Sequence, residues 1–139
     1  MSGSATGGCL CGAVRYRVTG EPTALVLCHC RSCRRAAGAP SLAWAIFRAA
    51  DFSFTRGEPK KFRSSPGVDR TFCGNCGTSL GYIDADRPEV ADVTAASLDE
   101  PDRFAPQREI WVGEKIAWET LHPALPHYPR SSKTSQPLP

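Results

Sequence analysis

A chain of 139 residues is long enough to bury one core and too short for two. Its 17 Lys and Arg against 14 Asp and Glu leave a formal charge of +3, too little to argue for a polyanion partner. The opening MSGSATGG is small and polar, without the apolar run of a secretory signal or membrane span, so a soluble cytoplasmic protein with no membrane partner is expected.

Twelve Gly and twelve Pro cut the chain into short apolar or alternating runs, and no window sustains helical periodicity. The class expected is mainly β. Residues 1–6 read as a flexible N-terminus, 7–128 as one folding unit, and 129–139, rich in Pro, Ser and charge, as a disordered tail. No internal repeat appears.

In AVRYRVTG, Val14, Tyr16 and Val18 fall on one face and Arg15 and Arg17 on the other, the alternation of a half-buried antiparallel strand. TALVLC follows and runs into CHCRSC, placing thiols at a strand's end. SCRRAAG predicts the one helix, short, over residues 32–37, with a capping Ser32 and a stopping Gly38. SLAWAIF, DFSFTRG, KKFRSS, DRTFC, SLGYI and EVADVTAASL continue the strands, KKFR as a solvated face, and REIWVG closes the series. Trp44, Trp111 and Trp118 read as core and pocket wall, and His122 and His127 as surface or packing residues.

The seven cysteines sort into C-x-C at Cys9 and Cys11, C-x-C-x-x-C at Cys28, Cys30 and Cys33, and C-x-x-C at Cys73 and Cys76. In a reducing compartment such clusters point to metal rather than disulfides. CGNCG has the form of a zinc knuckle, in which a tight turn with glycine brings two sulfurs to one ion. A structural zinc needs four ligands, and the CLCG pair is the natural completion, so Cys9, Cys11, Cys73 and Cys76 form one candidate site. Such a site supplies roughly 10 to 16 kcal/mol, set against a net domain stability of about 5 to 15.

The remaining trio, Cys28, Cys30 and Cys33, has the ligand number of a catalytic zinc with a fourth position open to water or substrate. Spare ligands and a redox pair are the competing readings, the latter without the βαβ context of a thioredoxin-like motif. Arg31, Arg34 and Arg35 are candidates for offsetting thiolate charge or holding a substrate carboxylate. His29, between two cysteines, should point the opposite way in an extended segment and is read as a non-ligand. Seven thiolates around two zinc ions would cancel the formal charge of +3.

With GGCLCGAVRY, CHCRSCRRAAGAP and RTFCGNCGTSLGY in that order, the chain resembles the glutathione-dependent formaldehyde-activating enzyme family, which includes the centromere protein V-like domain. IWVGEKIAWETLHPALPHY looks like the family's closing segment, so the resemblance covers residues 7–128. It implies tent-like antiparallel β-sheets, a tightly held structural zinc on Cys9, Cys11, Cys73 and Cys76, and a second, more labile zinc on Cys28, Cys30 and Cys33. The chemistry implied is a carbon-sulfur lyase reaction, with glutathione as thiol co-substrate and formaldehyde as aldehyde, giving S-hydroxymethylglutathione. No residue marks itself as general acid; water, a Tyr and an Arg are all open. A non-catalytic zinc-stapled binding module is the alternative, and a nucleic-acid partner is not expected, because metallation removes the basic excess.

Overall fold

The computed structural model describes residues 3–139, so residues 1 and 2 of the expected flexible N-terminus lie outside the described residues. The chain divides into two compact units. The first takes the chain to Ala24 and then Ala45–Phe104, and the second Leu25–Trp44 and Ala105–Pro139.

In the first unit, strands β1 (Ser4–Gly8), β2 (Arg15–Thr19) and β5 (Phe52–Arg56) form an antiparallel sheet in the order β1-β2-β5. The alternation of β2 sets its inner face: Tyr16 and Val18 are each 1 % exposed, while Arg17 faces solvent. Tyr16 donates to or accepts from Ser97 Oγ at 2.7 Å, and burial pushes its phenol up to about 12. Residues 4–6 depart from the expected flexible terminus. SATGG carries no strand-forming side chain, and the strand comes from pairing, Ser4 to Gly8 running opposite Thr19 to Arg15. Gly7 faces Tyr16, where a Cβ would stand 2.4 Å from the hydroxyl, so the pairing needs glycine there.

The rest of the unit is β4 (Leu42–Arg48), whose first residues belong to the second unit, followed across the sheet by β9 (Val90–Thr94), β8 (Ser79–Asp84), β7 (Val68–Phe72) and β6 (Lys60–Ser65). Strand β6, with KKFR, is exposed along its whole length and ends the row, where lysines discourage further pairing. Inward residues include Ala45, Phe47, Leu80 and Val93, and Phe47 meets Phe104 edge to face at 5.9 Å. A cavity of about 370 Å³ lies in this unit, with Tyr16, Phe52, Phe54, Leu80 and Tyr82 in its wall, and none of the cysteines lines it.

The second unit holds β3 (Ala24–Cys28), helix α1 (Arg31–Ala37) and β10 (Arg108–Ile110). Pairing between β10 and β3 is parallel, with Ile110 opposite Cys28. The helix begins one residue earlier than expected, because Cys30 rather than Ser32 is its N-cap: Cys30 Sγ accepts from Cys33 N–H at 3.3 Å. Gly38, in the left-handed region at φ 62°, ends it as expected.

Beyond β10 the chain is fastened rather than loose. Tyr128 N–H donates to Glu109 O at 2.9 Å, Glu109 N–H to Pro126 O at 3.0 Å, and Trp111 N–H to Arg130 O at 3.1 Å. Residues 129–139 likewise depart from a disordered tail: Leu138 N–H returns to His127 O at 2.7 Å, and Ser135 bonds back to Ser131. Backbone bonding, which needs no apolar side chains, holds what composition left unplaced. Trp44 is core, but Trp118 is 74 % exposed and is not, against the expectation for all three tryptophans. Among the described residues no helix is long and apolar enough to cross a membrane.

Phe47 has no exposed surface. Phe47→Ala should destabilise the protein by about 3 kcal/mol or more and lower Tm by on the order of 10 °C. A melting curve unchanged from the parent would show that the core is not centred there.

Candidate functional site

The seven cysteines gather into two groups, one in each unit, and all are free thiols. In the first unit Cys9 and Cys11 lie just beyond β1, and Cys73 and Cys76 in the turn between β7 and β8. Their ligand atoms all lie within 4.8 Å of one another, and Sγ separations are 3.7 Å for Cys9 to Cys11 and 3.8 Å for Cys11 to Cys73. A regular tetrahedron with zinc-sulfur bonds near 2.3 Å has sulfur-sulfur edges of about 3.8 Å. A disulfide, at about 2.05 Å, is far shorter. The donor set and its spacing fit a four-thiolate zinc site.

Backbone and side-chain donors aim at the sulfurs. Val14 N–H points at Cys9 Sγ (3.2 Å), Asn75 N–H and Cys76 N–H at Cys73 Sγ (3.3 and 3.4 Å), and Asn75 Nδ2 at Cys11 Sγ (3.2 Å). Such bonds stabilise thiolate charge and fix ligand direction. The Thr78 hydroxyl, 3.2 Å away, leads the contacts that hold the Cys76 thiol down at about 5. Gly77, at φ 82°, closes the knuckle turn with its N–H on Cys73 O. Sequence reading missed Asn75 and Thr78, although both stand inside the knuckle or next to it.

The second unit brings together Cys28, Cys30 and Cys33, again within 4.8 Å. Cys28 ends β3, Cys30 caps α1 and Cys33 lies in its first turn, so strand end and helix start converge on one point. Cys28 and Cys33 are each 4 % exposed, whereas Cys30 is half-buried and gives the trio its solvent side. The Cys30 and Cys33 thiols, then burial, push the Cys28 thiol strongly up. Three close sulfurs resist joint ionisation, and a divalent cation reverses that logic. The trio fits an ion held by three thiolates.

The Arg candidates divide. Arg31 and Arg35 are exposed on α1. The Arg34 guanidinium instead contacts His29 O and Glu114 O, each at 3.4 Å, and so braces the trio's backbone. Glu114 reaches α1 through a turn in which Trp111 adopts φ 57°, a conformation strained for a bulky residue, and its Oε1 accepts from Arg31 N–H at 2.9 Å.

His29 does not join the converging sulfurs. Its ring is fully buried, and Nε2 donates to Glu109 Oε1 at 2.7 Å. Glu109, also without exposed surface, was missed. In REIWVG, Glu109 is the buried residue of β10 and its apolar neighbour Ile110 only half-buried, the reverse of what polarity suggests. His127, expected to be surface or packing, stands with Nε2 3.2 Å from Glu109 Oε2.

A family model described as glutathione-dependent formaldehyde-activating enzyme matches residues 4–114. A Schizosaccharomyces pombe protein described as an uncharacterized lyase is 35 % identical over 76 residues, which cover 55 % of each chain. A Halomonas elongata protein, provisionally named a glutathione-dependent formaldehyde-activating enzyme, is 32 % identical over 111 residues, 73 % of this chain and 70 % of that one. The chain thus spans little more than half the length of the yeast relative. A crystal structure of a Rhodobacter sphaeroides protein superposes with a TM-score of 0.57 at 27 % identity, covering 68 % of this chain and 87 % of the other.

Removing one thiolate from the four-sulfur group leaves three uncompensated ligands between segments 62 residues apart. Cys73→Ser should therefore lose one tightly held zinc and give insoluble or molten protein, read by metal content and near-UV circular dichroism. A folded variant with unchanged melting would overturn the assignment of those four thiols to a structural ion.

Proposed function

The chain belongs to the glutathione-dependent formaldehyde-activating enzyme family, and from that premise we propose a zinc-dependent lyase that makes or breaks a carbon-sulfur bond at the Cys28, Cys30 and Cys33 trio. The observation that carries this reading is the unequal division of the thiols: four at tetrahedral spacing in one group, three with one half-buried member in the other. Four thiols complete a structural site, and three leave a coordination position for a substrate.

Bound to the trio, zinc would supply Lewis acidity that keeps a substrate thiol ionised at neutral pH. The protein's own residues then orient the encounter. Cys28 and Cys33 close the buried side, and Cys30 lies where solvent and substrate arrive. Arg31 and Arg35 offer exposed guanidinium groups to a substrate carboxylate, while Arg34 holds the His29 and Glu114 carbonyls. In the addition direction the substrate thiol gives its proton to water, its sulfur forms a bond to the aldehyde carbon, the carbonyl π pair moves to oxygen, and that oxygen takes the proton back from water. Cleavage reverses these movements. Glutathione and formaldehyde, which the Halomonas relative's name specifies, are the substrates proposed, with S-hydroxymethylglutathione as the adduct. Holding both reactants converts a bimolecular addition into a local one.

Cys30→Ser is a clean test, because serine is itself a favoured N-cap and preserves the start of α1. The variant should fold, keep one zinc, lose the other, and bring adduct exchange, measured by two-dimensional exchange NMR on ¹³C-formaldehyde with glutathione, down to the uncatalysed rate. Exchange equal to the parent's would remove the trio from the reaction and favour a zinc-stapled binding module.

A further inference from the structure

We propose that Glu109 is a positioning residue for the thiol trio, a buried carboxylate clamped between His29 on one side and residues 122–127 on the other. The inference rests on the reading of the trio as a metal site. Glu109 Oε1 accepts from His29 Nε2–H at 2.7 Å, and Oε2 accepts from His122 N–H at 2.7 Å, with His127 Nε2 at 3.2 Å. His127 Nε2 also donates to His122 O at 2.7 Å, which closes the 122–127 segment on itself. Both Glu109 and His29 have no exposed surface.

The placement matters because of the period-two alternation of an extended segment. His29 stands between Cys28 and Cys30, so a fixed His29 side chain on one face fixes the two thiols on the other. Its backbone is held by the same strand, His29 N–H donating to Ile110 O at 3.0 Å. Consecutive residues of β10 thus grip His29 at main chain and at ring. His29 Nδ1 has no hydrogen-bond partner among the described residues, so Glu109 alone sets the ring by hydrogen bonding. Burying a carboxylate carries a desolvation penalty, and apolar replacement of buried charges is often neutral or better for stability. Retaining one here fits a positional role.

The test uses the full chain with the four-thiol site loaded. Affinity of the second site is read by cobalt(II) titration, following thiolate-to-metal charge-transfer absorbance, and backbone exchange by hydrogen-deuterium mass spectrometry. Glu109→Gln replaces one acceptor oxygen with a donor and should weaken the second site about 10- to 100-fold, leaving the first metal in place. His29→Leu, which removes the donor, should lose as much, and the double variant no more than the worse single one. His29→Gln, which can still offer an amide N–H to Oε1, should stay within about threefold of the parent and decides the matter if Glu109→Gln fails to fold. An unchanged second-site affinity in folded Glu109→Gln, additive losses in the double variant, or equal damage from His29→Gln and His29→Leu would each overturn the clamp. A parent that binds a single metal sinks the functional reading instead. In that case faster exchange at residues 28–33 and 122–128 together in Glu109→Gln, with 68–84 unaltered, supports the clamp, and unaltered exchange at 28–33 overturns it.

Discussion

Convergence of four sulfurs from segments 62 residues apart is the constraint on which the first unit depends. Neither segment buries much apolar surface: Leu10 is 90 % exposed, and the knuckle is CGNCG. What holds them is a set of N–H and O–H donors on sulfur and a sulfur spacing that matches a tetrahedral ion. With the group closed, β1 is anchored at its end, and the small-residue strand SATGG can pair with β2 despite low strand propensity.

The second unit solves a different problem, holding three thiols together without completing a shell. It places one at a strand end, one at a helix cap and one in the first helical turn, so two elements of fixed geometry meet at the site. The parallel strand β10, Arg34 and Glu114 then brace the backbone between them. Rigidity of this kind is what the reaction proposed at the trio would need, since small displacements of the reacting groups are costly in rate.

Much of this was legible in the chain, and the reasons are physical. Cysteine spacing separated the two groups because ligand geometry restricts how thiols can be arranged along a backbone, and the fold brings together the sets that spacing assigned. Alternation located β2, since burial of one face imposes the period, and short runs cut by turn residues located the strands from β3 to β9, although β6 is exposed along its length. What escaped had no such signature. Strand β1 is made by pairing alone, the fastening of residues 129–139 uses backbone bonds, and Glu109 inverts the polarity rule by being the buried member of its strand. The parallel β10 was likewise invisible, because direction is a property of topology and not of any local run. Roles at the trio beyond the thiols themselves depend on side chains from distant segments, Glu114 and Glu109 above all, that no motif announces.

The most direct test of the account is native mass spectrometry of the reduced parent protein, counting zinc per chain before and after a mild chelator. Two thiol groups of four and three predict two ions, one removed by the chelator and one retained with the folded charge-state distribution. A folded chain that carries no zinc, or one whose ions leave together without unfolding, would contradict it.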